Sequence, residues 1–345
     1  MESYVAEKLY RRTGIALLAL QLLVPAPGHA QTKIRLGTLL PQGSSQYQVL
    51  EQMGQEWRTA SSGKITLTIY AGGTMGSEEE MVRRMRVGQI QAATLSVGGL
   101  SEIDPAVGAL QKIPMVYRSL DELEYVRSKT EPELERRLND KGFVVIFWAD
   151  AGWVHIFSRQ QAFRPEDFRK TKVFVGAGDQ DEVKVVKGLR FDAVPLEWSD
   201  VLTSLQTGLV DTVPTVPFMA LAGQYDLAAR HMLDVKWVPL VGATVITKKA
   251  WDSLPADWRV AFKSAAARAG QQMQSRSRQE SDQAVAAMKK RGLQVHGVSP
   301  ELDAEWRQFA EGVYPMLRGN LVPAEMFDEV TRLIAEYRSK ETRGQ

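Results

Sequence analysis

The chain has 345 residues, 44% hydrophobic and 24% charged, with 43 basic against 41 acidic side chains and a formal charge of +2. That length suits about two domains at ~150 residues each, and the absence of a dense basic run excludes an electrostatic nucleic-acid surface. With no cysteine, thiol nucleophiles, disulfides, cysteine-ligated metals and a lipid-anchoring cysteine are excluded, and His29, His155, His231 and His296 are not at metal-ligand spacing.

The amino terminus carries Lys8, Arg11 and Arg12, then the apolar run 14–24 (GIALLALQLLV), Pro25, Pro27 and the small-residue stretch ending at Ala30. A basic region, a short apolar stretch and small residues make a secretory signal, with cleavage expected after Ala30. The run is too short for a membrane span of ~20 residues, and no later stretch approaches that length. The mature protein is therefore expected to be soluble outside the cytoplasm.

Beyond the signal, residues 33–37 (KIRLG) alternate polar and apolar as a half-buried strand does. Tyr47, Leu50, Met53 and Trp57 follow at helical spacing, and Ser61-Ser62-Gly63 stops that helix. A second strand over 64–70 (KITLTIY) leads to the turn 72–76 (GGTMG). Ser77 then caps a helix, and Glu80 completes a capping box. Residues 92–97 read as a short buried strand. Strands alternating with helices predict parallel or mixed sheets, because parallel neighbours need crossovers.

A second such set follows a helix over 120–141. Its strands are expected over 143–148 (FVVIFW), 153–158, 172–175 (KVFV) and 192–195, and its helices over 181–189 and 198–208. Val213-Pro214 opens a proline-rich loop, and residues 232–237 and 242–247 read as strands running back toward the first domain. The remainder is helical: 256–291 without proline and stopped by Gly292, then 300–318 and 323–337.

Catalytic readings find little support. There is no Gly-x-Ser-x-Gly, and His155 sits inside an alternating strand, where a buried and satisfied histidine is expected. Gly72-Gly73-x-x-Gly76 lacks the lysine and hydroxyl of a phosphate loop. Asp179, Asp181 and Glu182 read as acids favoured at a helix start. Aromatic residues stand out instead. Trp148, Trp153, Phe174, Trp198, Phe218 and Trp237 lie near predicted strand ends or loops, where open α/β sheets bind small molecules.

These segments resemble the substrate-binding subunits of tripartite ATP-independent periplasmic (TRAP) transporters, the DctP-type family, over about residues 33–287. The resemblance rests on 70–76 (YAGGTMG) with Glu78 and Glu79, 88–92 (GQIQA) leading to Ser96, and 113–118 (IPMVYR). It continues through 205–211 (LQTGLVD) and 248–255 (KKAWDSLP). It implies an α/β fold of two periplasmic-binding-protein-like lobes with mixed sheets, hinge strands and a long C-terminal helical region, closing on ligand. The expected division is a signal over 1–30, one lobe from 31–152 and 239–285, another from 153–238, and helices over 286–345 packing across both.

The family's carboxylate-gripping arginine falls in a lysine–isoleucine–arginine–valine strand, where this chain has Phe174. A second arginine position holds Val154, and the family's asparagine is replaced, with Thr215 nearest. Losing a bidentate arginine leaves a buried carboxylate unpaired. The expectation is therefore a small, apolar or weakly polar organic ligand. Trp148, Trp153, Val154, Phe174, Trp198, Val216, Pro217, Phe218 and Trp237 would wall the cleft, with Gln42, Ser96, Asp150, Asp179 and Thr215 as polar contacts. The resemblance implies permease subunits as partners, a tetratricopeptide protein accompanying some members, and neither catalysis, metal nor cofactor. The alternatives are an organic-acid binder using a relocated cation, with Lys172 or Arg118 as candidates, and a hydrolase or lyase acting through Asp150, His155 or Asp179.

Overall fold

The computed structural model describes residues 32–344; the expected signal lies outside the described residues. Strand β1 (Thr32–Thr38) buries Ile34, Leu36, Gly37 and Thr38. Helix α1 (Ser45–Ala60) follows, capped by the Ser44 hydroxyl, which accepts from the Tyr47 N–H. It buries Val49, Leu50, Met53 and Trp57, the face that the sequence spacing marks. Strand β2 (Ile65–Tyr70) precedes α2 (Glu78–Arg86), where Ser77 accepts from Glu80 N–H, while the Glu80 carboxylate pairs with Arg83 at 3.0 Å instead of closing the expected capping box. Strand β3 (Ala92–Ser96) then runs parallel to β1, with Leu36 opposite Ala92.

Helix α3 (Leu120–Asp140) leads into the eleven-residue strand β4 (Phe143–Trp153), buried along almost its whole length. Both its faces are covered, so its sequence reads as a continuous apolar run instead of alternating. The chain then passes through Val154 into β5 (His155–Ser158) and a second sheet. That sheet takes β6 (Lys172–Gly176), helix α4 (Gln180–Gly188), β7 (Asp192–Leu196), β8 (Thr212–Thr215) and β9 (His231–Leu233). Strand β10 (Pro239–Thr247) returns to the first sheet, antiparallel to both β3 and β4.

The sheet orders are β2-β1-β3-β10-β4 and, with β11 (Gln294–His296), β11-β9-β5-β8-β6-β7. Pro214, expected to open a loop, lies inside β8 opposite Ile156. The crossings between sheets are tied to each other: Val154 N–H donates to Val238 O at 2.9 Å, and Trp237 N–H donates to Val154 O at 3.2 Å. Two lobes joined by paired strands are the result.

Helix α5 (Ala256–Lys290) spans 35 residues, about 52 Å at 1.5 Å per residue. Its buried Ala265, Ala266, Ala269, Gly270 and Met273 form one small-residue stripe against β4 and α1. A Cβ on Gly270 would lie 3.0 Å from Phe147 Cβ and 3.1 Å from Trp148 O, so glycine sets how closely the helix approaches the strand. Farther along, Ala284 and Met288 of the same helix join the core of the second lobe. The expected helix over 300–318 is interrupted near Gly312 into α6 (Pro300–Glu311) and a short turn of helix, Tyr314–Leu317. Helix α7 (Ala324–Gly344) packs on α3, where Arg338 bonds the Glu122 carboxylate and Val116 O.

Candidate ligand cleft

Between the lobes lies a cavity of about 290 Å³. Its walls come from strand ends of both sheets: Thr38 to Leu40 after β1, Thr94 to Ser96 of β3, Gly176 to Asp179 after β6, and Pro214 to Val216 around β8. These are carboxyl ends, where parallel strands leave a crevice and the following helices start.

Many of the sequence-predicted residues meet here. Val154, Trp198, Val216, Phe218 and Trp237 supply the apolar wall, and Ser96, Asp150, Asp179 and Thr215 also line it. Gln42, Trp148, Trp153, Phe174 and Pro217 do not. Gln42 is exposed on the turn after β1, and the glutamine at the cavity is Gln46, one helical turn later. Trp148 points to the opposite face of β4 and donates its Nε1–H to Glu135 at 3.3 Å. Side chains alternate along a strand, so its neighbours Phe147 and Ala149 line the cavity instead.

Phe174 is 2% exposed and meets Trp198 edge-on at 4.7 Å between ring centroids, supporting that indole from behind. Trp153 and Pro217 line a separate depression at the back of the hinge, with His155, Asp234, Lys236 and Arg278. His155 Nδ1 lies 3.1 Å from Asp234 Oδ1 there, so Asp150, His155 and Asp179 are not assembled in one site. Neither candidate cation reaches the cavity lining. Lys172 donates to Gly208 O, and Arg118 is exposed before α3.

Several polar wall groups are already committed. Asp150 is 4% exposed, and both its oxygens accept from Arg278, at 2.9 and 2.7 Å. Gln274 and the Gly152 N–H complete its shell. It staples α5 to β4 at the hinge. The Ser96 hydroxyl caps the short helix Val97–Ser101, accepting from Gly98 N–H while donating to Glu78 at 2.5 Å.

The sequence reading missed the cleft's charge. Lys112 lines the cavity with its side chain 9% exposed, and its ammonium donates to Asp181 of the other lobe at 2.9 Å. It lies just before the Ile113-Pro114 segment, and nothing in local spacing aims it inward. Glu78, Glu79 and Glu102 reach the same region from the first lobe, and Asp179, Glu182 and Glu197 from the second. Burial pushes the Glu78 carboxyl upward, against hydrogen bonds from Ser96 and Gly99. Desolvation between the lobes raises Glu182 as well, to about 8, with Asp179 adding to the rise, although the residue keeps an exposed surface. Burial works upward on Asp181 too, but Lys112 and Lys184 hold it below the usual carboxylate range.

A two-lobed fold with a cavity enclosed between facing strand ends defines a receptor for a small solute. The chain belongs to the DctP family, bacterial extracellular solute-binding protein family 7, whose pattern matches residues 36–319. A solute-binding protein of Verminephrobacter eiseniae is 24% identical over 272 residues, 78% of this chain and 81% of that one. Among solved structures, a TRAP periplasmic solute-binding protein of Xanthobacter autotrophicus with bound β-D-galacturonate has a TM-score of 0.80 at 20% identity, covering 88% of this chain and 99% of the other. An extracytoplasmic solute receptor of Bordetella pertussis binding pyroglutamic acid matches with TM-score 0.80 at 18% identity and the same coverages.

Proposed function

We propose that the protein is the periplasmic receptor of a TRAP-type transporter, closing its lobes on a small organic acid and delivering it to membrane permease subunits. The observation that carries this reading is Lys112, a nearly buried cation at the cavity wall, supplied by an element other than those holding the family's arginine positions. An ammonium has three protons, and Asp181 takes one of them. The acids bound by the galacturonate and pyroglutamic acid receptors support the same ligand class. A wholly apolar ligand fits less well, because Gln46, Gln111, Lys112 and the acids place charged and hydrogen-bonding groups in an otherwise apolar wall.

The apolar wall of Val154, Trp198, Val216, Phe218 and Trp237 would take the body of the ligand. Closure then stabilises the complex by as much as the ligand prefers the closed state. Catalysis is not part of the proposal: Asp150 is locked in its ion pair and His155 opens on the other side of the hinge.

Native mass spectrometry of the purified mature protein, followed by denaturation and extraction, tests the reading. An organic acid released in near-stoichiometric amount is expected, and Lys112→Met is expected to weaken its rebinding at least tenfold. A fatty or sterol-like ligand, or binding indifferent to Lys112→Met, would overturn it.

A further inference from the structure

We propose that the organic acid also carries a positively charged nitrogen, so that the solute is an amino or imino acid held as a zwitterion. The inference rests on the organic-acid reading above and adds to it.

Once Lys112 is paired with Asp181, the acids facing the cavity have no remaining cation along its lining among the described residues. Glu78, Glu102, Asp179 and Glu182 converge from both lobes. The lobes approach closely at this point. A Cβ on Gly98 would lie 2.8 Å from Asp179 Oδ2, and one on Gly178 would lie 3.1 Å from Glu79 Oε2. Like charges brought together in a partly desolvated space oppose closure unless a counter-charge or protons arrive. A plain carboxylate would add another negative charge to this group.

A separate observation points the same way. Gln46 is 1% exposed and lines the same cavity. Its Nε2 donates to Ser277 at 3.2 Å and to Glu280 at 3.1 Å, while its Oε1 has no hydrogen-bond partner. A buried carbonyl without a donor is costly to leave unmet. The orphan carbonyl and the Glu102, Asp179 and Glu182 carboxylates alike suit N–H donors from the solute, whereas Glu78 already accepts from Ser96 and Gly99.

Lys112 and the acids lie close together: Asp181, its partner, is the sequence neighbour of Glu182, and Lys112 acts electrostatically on both Glu182 and Glu102. A ligand serving both signs at such short range has its carboxylate and its nitrogen near each other, as α- and β-amino acids and cyclic imino acids do. The nitrogen faces Glu182 of α4 and Asp179, which caps that helix, with Glu78, Glu79 and Glu102 opposite. Lys112 and Asp181 flank it, and Lys184 pairs with Asp181 at 3.1 Å. Desolvation and the neighbouring Asp179 raise the Glu182 carboxyl to about 8, so an arriving ammonium should favour its ionised form and release a proton.

The test is titration calorimetry of the full mature chain, run in buffers of different ionisation heat near pH 7. The probes are the common amino acids, including L-proline, with cyclopentanecarboxylate and cyclopentylammonium as matched single-charge controls. At least one amino or imino acid should bind tenfold or more tightly than either control, releasing most of a proton per site. Glu182→Gln should abolish that release and weaken the zwitterion about tenfold, without weakening cyclopentanecarboxylate. A plain acid binding as tightly as every amino acid, or no amino acid binding at all, overturns the proposal. Cyclopentylammonium binding alone, indifferent to Lys112→Met, would instead sink the organic-acid reading and leave the cation site standing.

Discussion

Lys112 Nζ of the first lobe donates to Asp181 Oδ2 of the second at 2.9 Å, an ion pair whose lysine end is almost fully enclosed. The pair joins the wall of the cavity to the start of α4, so it belongs to the ligand site and to the closed state together. A charged hydrogen bond of this kind contributes roughly 1.5–3 kcal/mol. Asp181→Asn should therefore shift the ligand-free protein toward an open form. Small-angle scattering would report a larger radius of gyration for the variant than for the parent, and an unchanged radius would remove the pair from any role in closure.

Asp150 and Arg278 make a different tie, from β4 to α5, and Gln274 shares the same carboxylate. Removing the arginine leaves a nearly inaccessible carboxylate without its cation. Breaking a buried pair costs about 3–5 kcal/mol, and because the Arg278 side chain is 32% exposed the lower end applies. Arg278→Ala should lower the midpoint of urea unfolding accordingly. Asp150→Asn should also destabilise, because its NH2 would face the donors of Arg278 and either Gln274 or Gly152, where a carboxylate oxygen accepts.

The acids of the cleft give stability a pH dependence of known sign. Glu182 titrates at about 8 in the folded protein against 4.5 for a free glutamate, so the folded state holds its proton more tightly. The linked stability is fully present below pH 4.5 and declines as pH rises toward 8. Glu182→Gln, which cannot ionise, should raise the melting temperature more at pH 8 than at pH 5. Equal gains at both pH values would show that Glu182 is not held neutral.

Gly242 in β10 faces β3 with no room for a side chain: a Cβ there would lie 2.6 Å from Leu95 O. Backbone cannot swing aside as a side-chain tip can. Gly242→Ala should force the strands apart and destabilise the protein by about 1–3 kcal/mol, as overpacking does. Chemical denaturation would measure it, and a neutral result would mean the sheet relaxes there freely.

Phe174 tests why a family position changed. Placing arginine there would bury a guanidinium behind Trp198, in a core with Val154, Val201, Val213 and Val216. Phe174→Arg should lower the melting temperature without tightening binding of D-galacturonate. Tighter binding would show that the side chain can still turn into the cavity.

The sequence by itself determined most of the elements, and its family resemblance supplied the two-lobed plan. Apolar spacing in α1, the Ser77 cap, the continuous run of β4 and the proline-free length of α5 are local patterns, and local patterns fix local structure. Ordered motifs over most of the chain also placed it in its family, strand ends marked Trp198, Phe218 and Trp237 for the cleft, and the family's positions marked Val154 and Thr215, with Val216 beside them. Trp148 and Phe174 went astray because strand alternation, a one-residue matter, decides which face a side chain takes. Only the tertiary structure could decide the charge of the site. Lys112 and Asp181 are far apart in sequence, as are Gln46 and Ser277, and each pair meets only when one lobe lies against its partner or two distant helices pack together. Electrostatics and orphaned hydrogen bonds depend on distances through space, which no periodicity along the chain records.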